Sequence, residues 1–110
     1  MRAIVGIHPA NSASRVAGRS KAPMPTVWFA SWRQLAGVLS DENRALLQLM
    51  NERRPATVSE LASLSGRAPS NLSRTLRNLE GYGLVKLHRR PGTRAVRPEA
   101  LATEFLVVLN

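Results

Sequence analysis

The run from Thr57 to Arg97, TVSELASLSGRAPSNLSRTLRNLEGYGLVKLHRRPGTRAVR, constrains the fold of this chain more than any other part of it. Thr57-Val58-Ser59-Glu60 has the form of a capping box, in which the threonine hydroxyl and the glutamate carboxylate take up N–H groups that a helix start leaves without partners. Ser65-Gly66-Arg67-Ala68-Pro69 then interrupts the helix. Glycine suits the left-handed position just past a helix end, and proline suits the first turn of the next helix. A second helical pattern runs from Ser70 to Glu80 and stops at Gly81-Tyr82-Gly83. Leu84 to His88 reads as a strand, Arg89-Arg90-Pro91-Gly92-Thr93 as a turn, and Arg94 to Arg97 as the returning strand. Helix, tight turn, helix and hairpin in that order leave few architectures open.

The second helix divides into two faces. Leu72, Leu76 and Leu79 recur at the i, i+4, i+7 spacing of a buried stripe. At about 100° per residue, the opposite side is centred on Ser70, Arg74 and Arg77 and flanked by Asn71 and Asn78. A solvated helix usually mixes both signs of charge, whereas the one acid here, Glu80, stands at the end. Arginine can bond guanine O6 and N7 in bidentate fashion, and asparagine can do the same for adenine N6 and N7. Arg74, Arg77, Asn71 and Asn78 are therefore candidate readers of base edges. A plain solvent-facing helix is the simpler account of these residues taken alone, and the hairpin counts against it. Alternation puts Val85 and Leu87 on one face of the first strand and Lys86 and His88 on the other. The tip and return carry Arg89, Arg90, Arg94 and Arg97 without a compensating acid. A basic hairpin by itself is more often a solvated edge that discourages aggregation. Beside a cationic helix it suits a phosphate-lined duplex, where counterion release supplies much of the affinity.

The LASLSGRAPSNLSRTLRNLEGYGLVKL run resembles the winged helix-turn-helix of bacterial and archaeal regulators of the MarR/ArsR type. FASWRQLAGVLSDENRALLQLM, which leads into it, is similar to a family of small transcriptional regulators that share an F-x-S-W strand-to-helix approach. Some of these are encoded beside toxin genes as antitoxins. The resemblance extends over about Val27 to Asn110. It implies a mainly α fold with a small β wing: a three-helix core, a β-hairpin and terminal strands. It also implies a recognition helix at 69–80 in the major groove, with Asn71, Arg74, Thr75, Arg77 and Asn78 reading bases, and a basic wing at 84–97 on the DNA backbone. Ser59, Arg67, Ser70, Ser73, Lys86, His88, Arg89, Arg90, Thr93 and Arg94 are then expected on phosphates. One departure is Ala68, where such regulators often place Ser, Thr or Asp as the N-cap; its absence costs about 1 kcal/mol of capping.

Composition narrows the function. With 110 residues the chain suits one small domain, and 44% apolar content against 5% aromatic makes an aliphatic core. A formal charge of +9 points to a polyanionic partner. No apolar run reaches the roughly 18 residues of a membrane-spanning helix, so no membrane is expected. The absence of cysteine excludes disulfides and thiolate ligands. With only His8 and His88, far apart, neither metal nor cofactor is expected, and His88 reads better as a hairpin residue. No Ser/His/Asp or Cys/His set, P-loop or dinucleotide fingerprint is present, so the chain is not expected to be an enzyme. Its acids (Asp41, Glu42, Glu52, Glu60, Glu80, Glu99 and Glu104) mostly have capping or surface explanations.

In chain order, residues 1–25 are acid-free and rich in small residues, with Arg2, Arg15, Arg19 and Lys21 among them. They are expected to form a disordered basic arm with at most a weak strand at Ala3 to Ile7, a transit-peptide-like segment being the alternative; residues 26–110 form the domain. Thr26 to Ala30 reads as a short strand, and Ser31 caps a helix from Trp32 to Leu39. Ser40-Asp41-Glu42 opens the next helix, whose buried stripe is Ala45, Leu46, Leu49 and Met50, with Leu47 on the flank. In the Val58 to Ser65 helix, Val58, Leu61, Ala62 and Leu64 are expected to face inward. Trp28, Phe29 and Trp32 are assigned to core or dimer packing rather than to a ligand pocket. Arg97-Pro98-Glu99-Ala100 reads as a breaker. Thr103 to Leu109 reads as an apolar strand that pairs with Thr26 to Ala30, in the same chain or across a dimer. A homodimer through Trp28, Phe29, Phe105 and Val107, on a palindromic operator, follows from that pairing. The expected function is a sequence-specific, double-stranded DNA-binding transcriptional regulator, cytoplasmic and at the nucleoid. The alternatives are an antitoxin-type module that binds a toxin and represses its own promoter, and a non-specific nucleic-acid binder.

Overall fold

The computed structural model describes residues 2–7 and 25–108. Within them the elements are β1 (Arg2–Ile7), β2 (Val27–Phe29), α1 (Trp32–Val38), α2 (Asp41–Arg53), α3 (Val58–Ser65), α4 (Pro69–Gly81), β3 (Val85–Arg89), β4 (Val96–Ala100) and β5 (Glu104–Val108). The fold is α/β rather than mainly α. Besides the antiparallel β3–β4 hairpin there is a three-stranded sheet of order β2-β1-β5. Both of its pairings are parallel.

That sheet differs from the sequence expectation at its centre. Arg2–Ile7, placed above in a disordered arm with at most a weak strand at Ala3 to Ile7, is the middle strand, with Val5 fully buried between Val27 and Val107. The rest of the expected arm, residues 8–24 with His8, Arg15, Arg19 and Lys21, lies outside the described residues, as does Leu109. The strands at Val27–Phe29 and Glu104–Val108 do not pair with each other as expected; each pairs with β1 from its own side. Gly6 is required there, because a Cβ at this position would come within 2.8 Å of Pro25 Cγ and 3.0 Å of the Trp28 ring.

The helices start where their caps dictate. Ser31, Ser40 and Thr57 accept hydrogen bonds from the N–H groups of Gln34, Asn43 and Glu60. Leu72, Leu76 and Leu79 of α4 are buried as their spacing requires, in one core cluster with Leu47, Met50, Leu61 and Leu84. In α2 the stripe is rotated from the expected one: Leu46, Leu47 and Met50 are buried while Ala45 is exposed. Leu64 of α3 is 39% exposed rather than inward, since Leu61 and Ala62 already fill that face. Phe29 is buried and its ring lies 4.8 Å from that of Tyr82, so it ties β2 to the end of α4 and is not available to a dimer surface. Trp32, 56% exposed, is not in the core.

The returning strand of the hairpin lies later than expected, at Val96–Ala100 rather than Arg94 to Arg97. Pro98 does not break the chain but sits buried within β4, opposite Leu87. Proline is tolerated in an edge strand where no ladder N–H is needed.

Candidate nucleic-acid interface

The α3–turn–α4 unit is fixed by backbone geometry. Thr57 Oγ1 accepts the Glu60 N–H at 3.0 Å, and Glu60 Oε2 accepts that of Ala56 at 3.4 Å. Gly66 ends α3 at φ 74°, the left-handed conformation expected of it. α4 then begins at Pro69, with Ala68 supplying no capping bond. Arg67, expected on the DNA backbone, is held internally instead. Its guanidinium donates to Asn43 Oδ1 at 3.3 Å and to the Glu42 carbonyl at 2.8 Å, bracketing the turn to the start of α2.

From α4 the side chains of Ser70, Asn71, Arg74, Arg77 and Asn78 project as exposed groups. None of them has a hydrogen-bonding or ion-pairing partner among the described residues. Ser73 and Thr75 are half-buried beside the leucine stripe, so Thr75 is set back from the face that carries the other expected base readers. The acids that could neutralise this face are engaged elsewhere. Glu80 Oε2 accepts the Leu87 N–H at 3.0 Å, Asp41 pairs with Arg44, and Glu99 pairs with His88 at 2.7 Å.

Leu87 and Val85 turn toward α4, and between α4, the start of α3 and the hairpin lies a cleft of about 800 Å³. Ser59, Ser73, Arg77, Arg89 and Arg94 line it over a floor that includes Leu76 and Leu87. Arg90 and Thr93 stand at the tip, where the turn closes with the Thr93 N–H on the Arg90 carbonyl at 3.2 Å and Gly92 at φ 82°. Lys86 and His88 occupy the opposite face of the hairpin, beside Glu99 and Arg97 in register. There the Glu99 carboxyl is held below its ordinary 4.5, first by its hydrogen bond with His88 and then by the positive charges of His88, Arg97 and Lys86.

The structure thus brings Ser70, Asn71, Arg74, Arg77 and Asn78 onto one surface, with Ser59, Ser73, Arg89 and Arg94 in the adjoining cleft. It does not bring Arg67, Lys86 or His88 to that surface. Glu80 was missed as a positioning residue: it docks β3 onto α4, and its only sequence signal was being the single acid on a cationic helix. Among the described residues, no group of three His, Asp or Glu side chains is placed to hold a metal ion. No helix among them is long and apolar enough to cross a membrane.

The architecture is that of a small α/β domain presenting a cationic helix beside a cationic hairpin. The sequence profile of the HVO_A0114 family matches residues 38–105, from the end of α1 into β5. The chain belongs to that family. No curated protein matches it.

Proposed function

We propose that this protein is a winged helix-turn-helix regulator that binds double-stranded DNA in a sequence-dependent way. In this reading α4 is the recognition helix and the β3–β4 hairpin is the wing. The observation that carries the reading is the set Ser70, Asn71, Arg74, Arg77 and Asn78, exposed together, unpaired among the described residues, and continuous with the Arg89 and Arg94 side of the hairpin. A face kept only for solubility is usually of mixed sign and held by salt bridges along the helix. Here cations and amides are left with unused donors, the groups that recognise base edges and phosphate oxygens.

The cleft divides the labour. Arg74, Asn71 and Asn78 stand on the open face and read base edges in the major groove. Arg77 shares the cleft with Arg89 and Arg94, and these three clamp one phosphate strand between helix and wing. The test is selection from a random duplex library at near-physiological salt. The reading expects enrichment of one short motif, which a variant carrying Arg74→Ala recovers with one position degenerate. A library that emerges without any motif contradicts it.

A further inference from the structure

Besides the cleft on its α4 side, the hairpin bounds a second concavity, of about 550 Å³, against Ala56 and Thr57 at the turn into α3. Arg89, Arg90 and Arg97 line it with His88, and no acid does. Its apolar lining is confined to Ala56, Pro91 and Ala95. The cations are uncommitted: none of the three guanidinium groups has a hydrogen-bonding or ion-pairing partner among the described residues. His88 does have one, in Glu99 at 2.7 Å. Thr57 Oγ1 accepts the Glu60 N–H as a helix cap, which leaves its own O–H to donate, and that O–H has no acceptor among the described residues. The frame closes without using any of these donors. Thr93 donates from both its N–H and its hydroxyl to the Arg90 carbonyl at 3.2 Å, and the Leu87 N–H is fixed to Glu80. Three guanidinium groups gathered in one concavity repel one another, and an anion placed among them replaces that repulsion with attraction.

We propose that this concavity is a second anion site, suited to two or more linked phosphate groups. Its volume of about 550 Å³ falls within the range of small-molecule sites and has room for more than one tetrahedral oxyanion. Arginine is matched to such groups because its planar fork donates two parallel N–H bonds to their oxygens. The absence of acids from the lining disfavours a cation, and the absence of aromatic or large aliphatic side chains disfavours a nucleobase or a lipid chain. The same chemistry has two sources: a free polyphosphate, or the backbone of a duplex that runs on past the hairpin. Thr57, Arg89 and Ala95 line both this concavity and the α4 cleft, so the two sites share a wall. Arg97 distinguishes them, because it lines this concavity and not the cleft.

The site goes beyond the DNA-binding reading, and its first test uses no DNA. Calorimetric titration of the full-length protein with inorganic triphosphate at near-physiological salt is expected to show one saturable site per chain. Arg97→Ala is expected to weaken it by about tenfold or more. Arg33→Ala removes the same charge from an exposed position on α1 and is expected to leave it unchanged, as is Arg74→Ala on the open face of α4. Arg97→Lys keeps the charge without the fork and is expected to fall between, which covers the case in which Arg97→Ala folds poorly by circular dichroism. If the phosphates are those of DNA, triphosphate does not saturate the chain. Arg97→Ala then weakens binding to a duplex extended by a helical turn on each side and spares the minimal duplex, while Arg33→Ala spares both. Either pattern supports the site and names the source of its phosphates. Triphosphate binding that survives Arg97→Ala, or that falls equally with Arg33→Ala, overturns the proposal. So does a titration that fails to saturate when Arg97→Ala also matches Arg33→Ala on every duplex. Because the first arm is free of DNA, a chain that selects no DNA motif still passes or fails it.

Discussion

The two sheets solve the same problem in opposite ways. The β3–β4 hairpin is local: a turn at Pro91-Gly92 joins its strands, a carboxylate and a proline dispose of its open edges, and its tip is crowded with cations. The β2-β1-β5 sheet draws its strands from both ends of the described chain, keeps its inner face apolar, and has no described strand on the outer side of β5. A sheet edge saturated with charge is suited to a polyanion and unsuited to another strand, while an apolar edge is suited to a strand and unsuited to DNA. Charge placement therefore separates a cationic end from an apolar sheet end within one small domain, and the proposed reading assigns DNA to the first.

The largest expected effect concerns whether the two ends of the domain are mechanically coupled. Phe29 stacks on Tyr82 and joins the parallel sheet to the end of α4. Phe29→Ala is expected to cost about 3–5 kcal/mol of stability in a single denaturant transition. Two separated transitions, one for each end, would show that the core does not couple them. A smaller effect is expected at the cationic end if it binds DNA as proposed. Arg74→Ala is expected to cost about 1–3 kcal/mol on the preferred duplex and little on others. Arg77→Ala and Arg90→Ala are expected to weaken every duplex alike and to lower the slope of log affinity against log salt by about one each. Titrations of matched and mismatched duplexes over a salt series distinguish the two patterns, and a uniform loss from Arg74→Ala removes it from the base readers.

Smaller again are the helix caps. Thr57→Ala removes the bond to the Glu60 N–H and is expected to lower stability by about 1 kcal/mol. Ala68→Ser supplies the cap that α4 lacks, at a residue whose φ −63° and ψ 137° already suit one, and is expected to add about 0.5–1 kcal/mol. Thermal melts measure both, and an unchanged midpoint for Ala68→Ser would mean that the α4 start is satisfied by other means. The last effect is a pH dependence on the outer face of the hairpin. Glu99 has a folded-state pKa below its ordinary 4.5, so its contribution to stability is complete above that value and disappears as the pH falls through the lowered one. Glu99→Gln is expected to flatten the stability profile in that acid window and to lie slightly below the wild type near neutrality, where the wild-type carboxylate contributes in full. Equal acid sensitivity in both proteins contradicts the assignment.

Legibility in the sequence follows the range of the interactions. Capping boxes, Gly66, Pro69, Pro91-Gly92 and the leucine stripe of α4 are local signals, and the structure has the helices and hairpin where those residues place them. β1 is different. Ala3 to Ile7 is a short apolar run whose partners lie some twenty residues on and at the far end of the chain, and no local pattern announces such pairing. The site divides along the same line. Exposure of Arg74 and Asn78 follows from helical periodicity. The withdrawal of Arg67 into its bracket on α2 depends on Glu42 and Asn43, more than twenty residues earlier. Lys86 and His88 were separated from the cleft by strand alternation, which the sequence shows, and by the docking of β3 on α4 through Glu80, which it does not.

In the proposed function the cationic end reads sequence rather than only charge. Fluorescence anisotropy of the full-length protein on the duplex upstream of its own gene, against a shuffled duplex of the same composition across a salt series, tests it most directly. A sequence-reading helix gives a preference of about a thousandfold or more that survives near-physiological salt. Equal affinity for the two duplexes, collapsing together as salt rises, would contradict it.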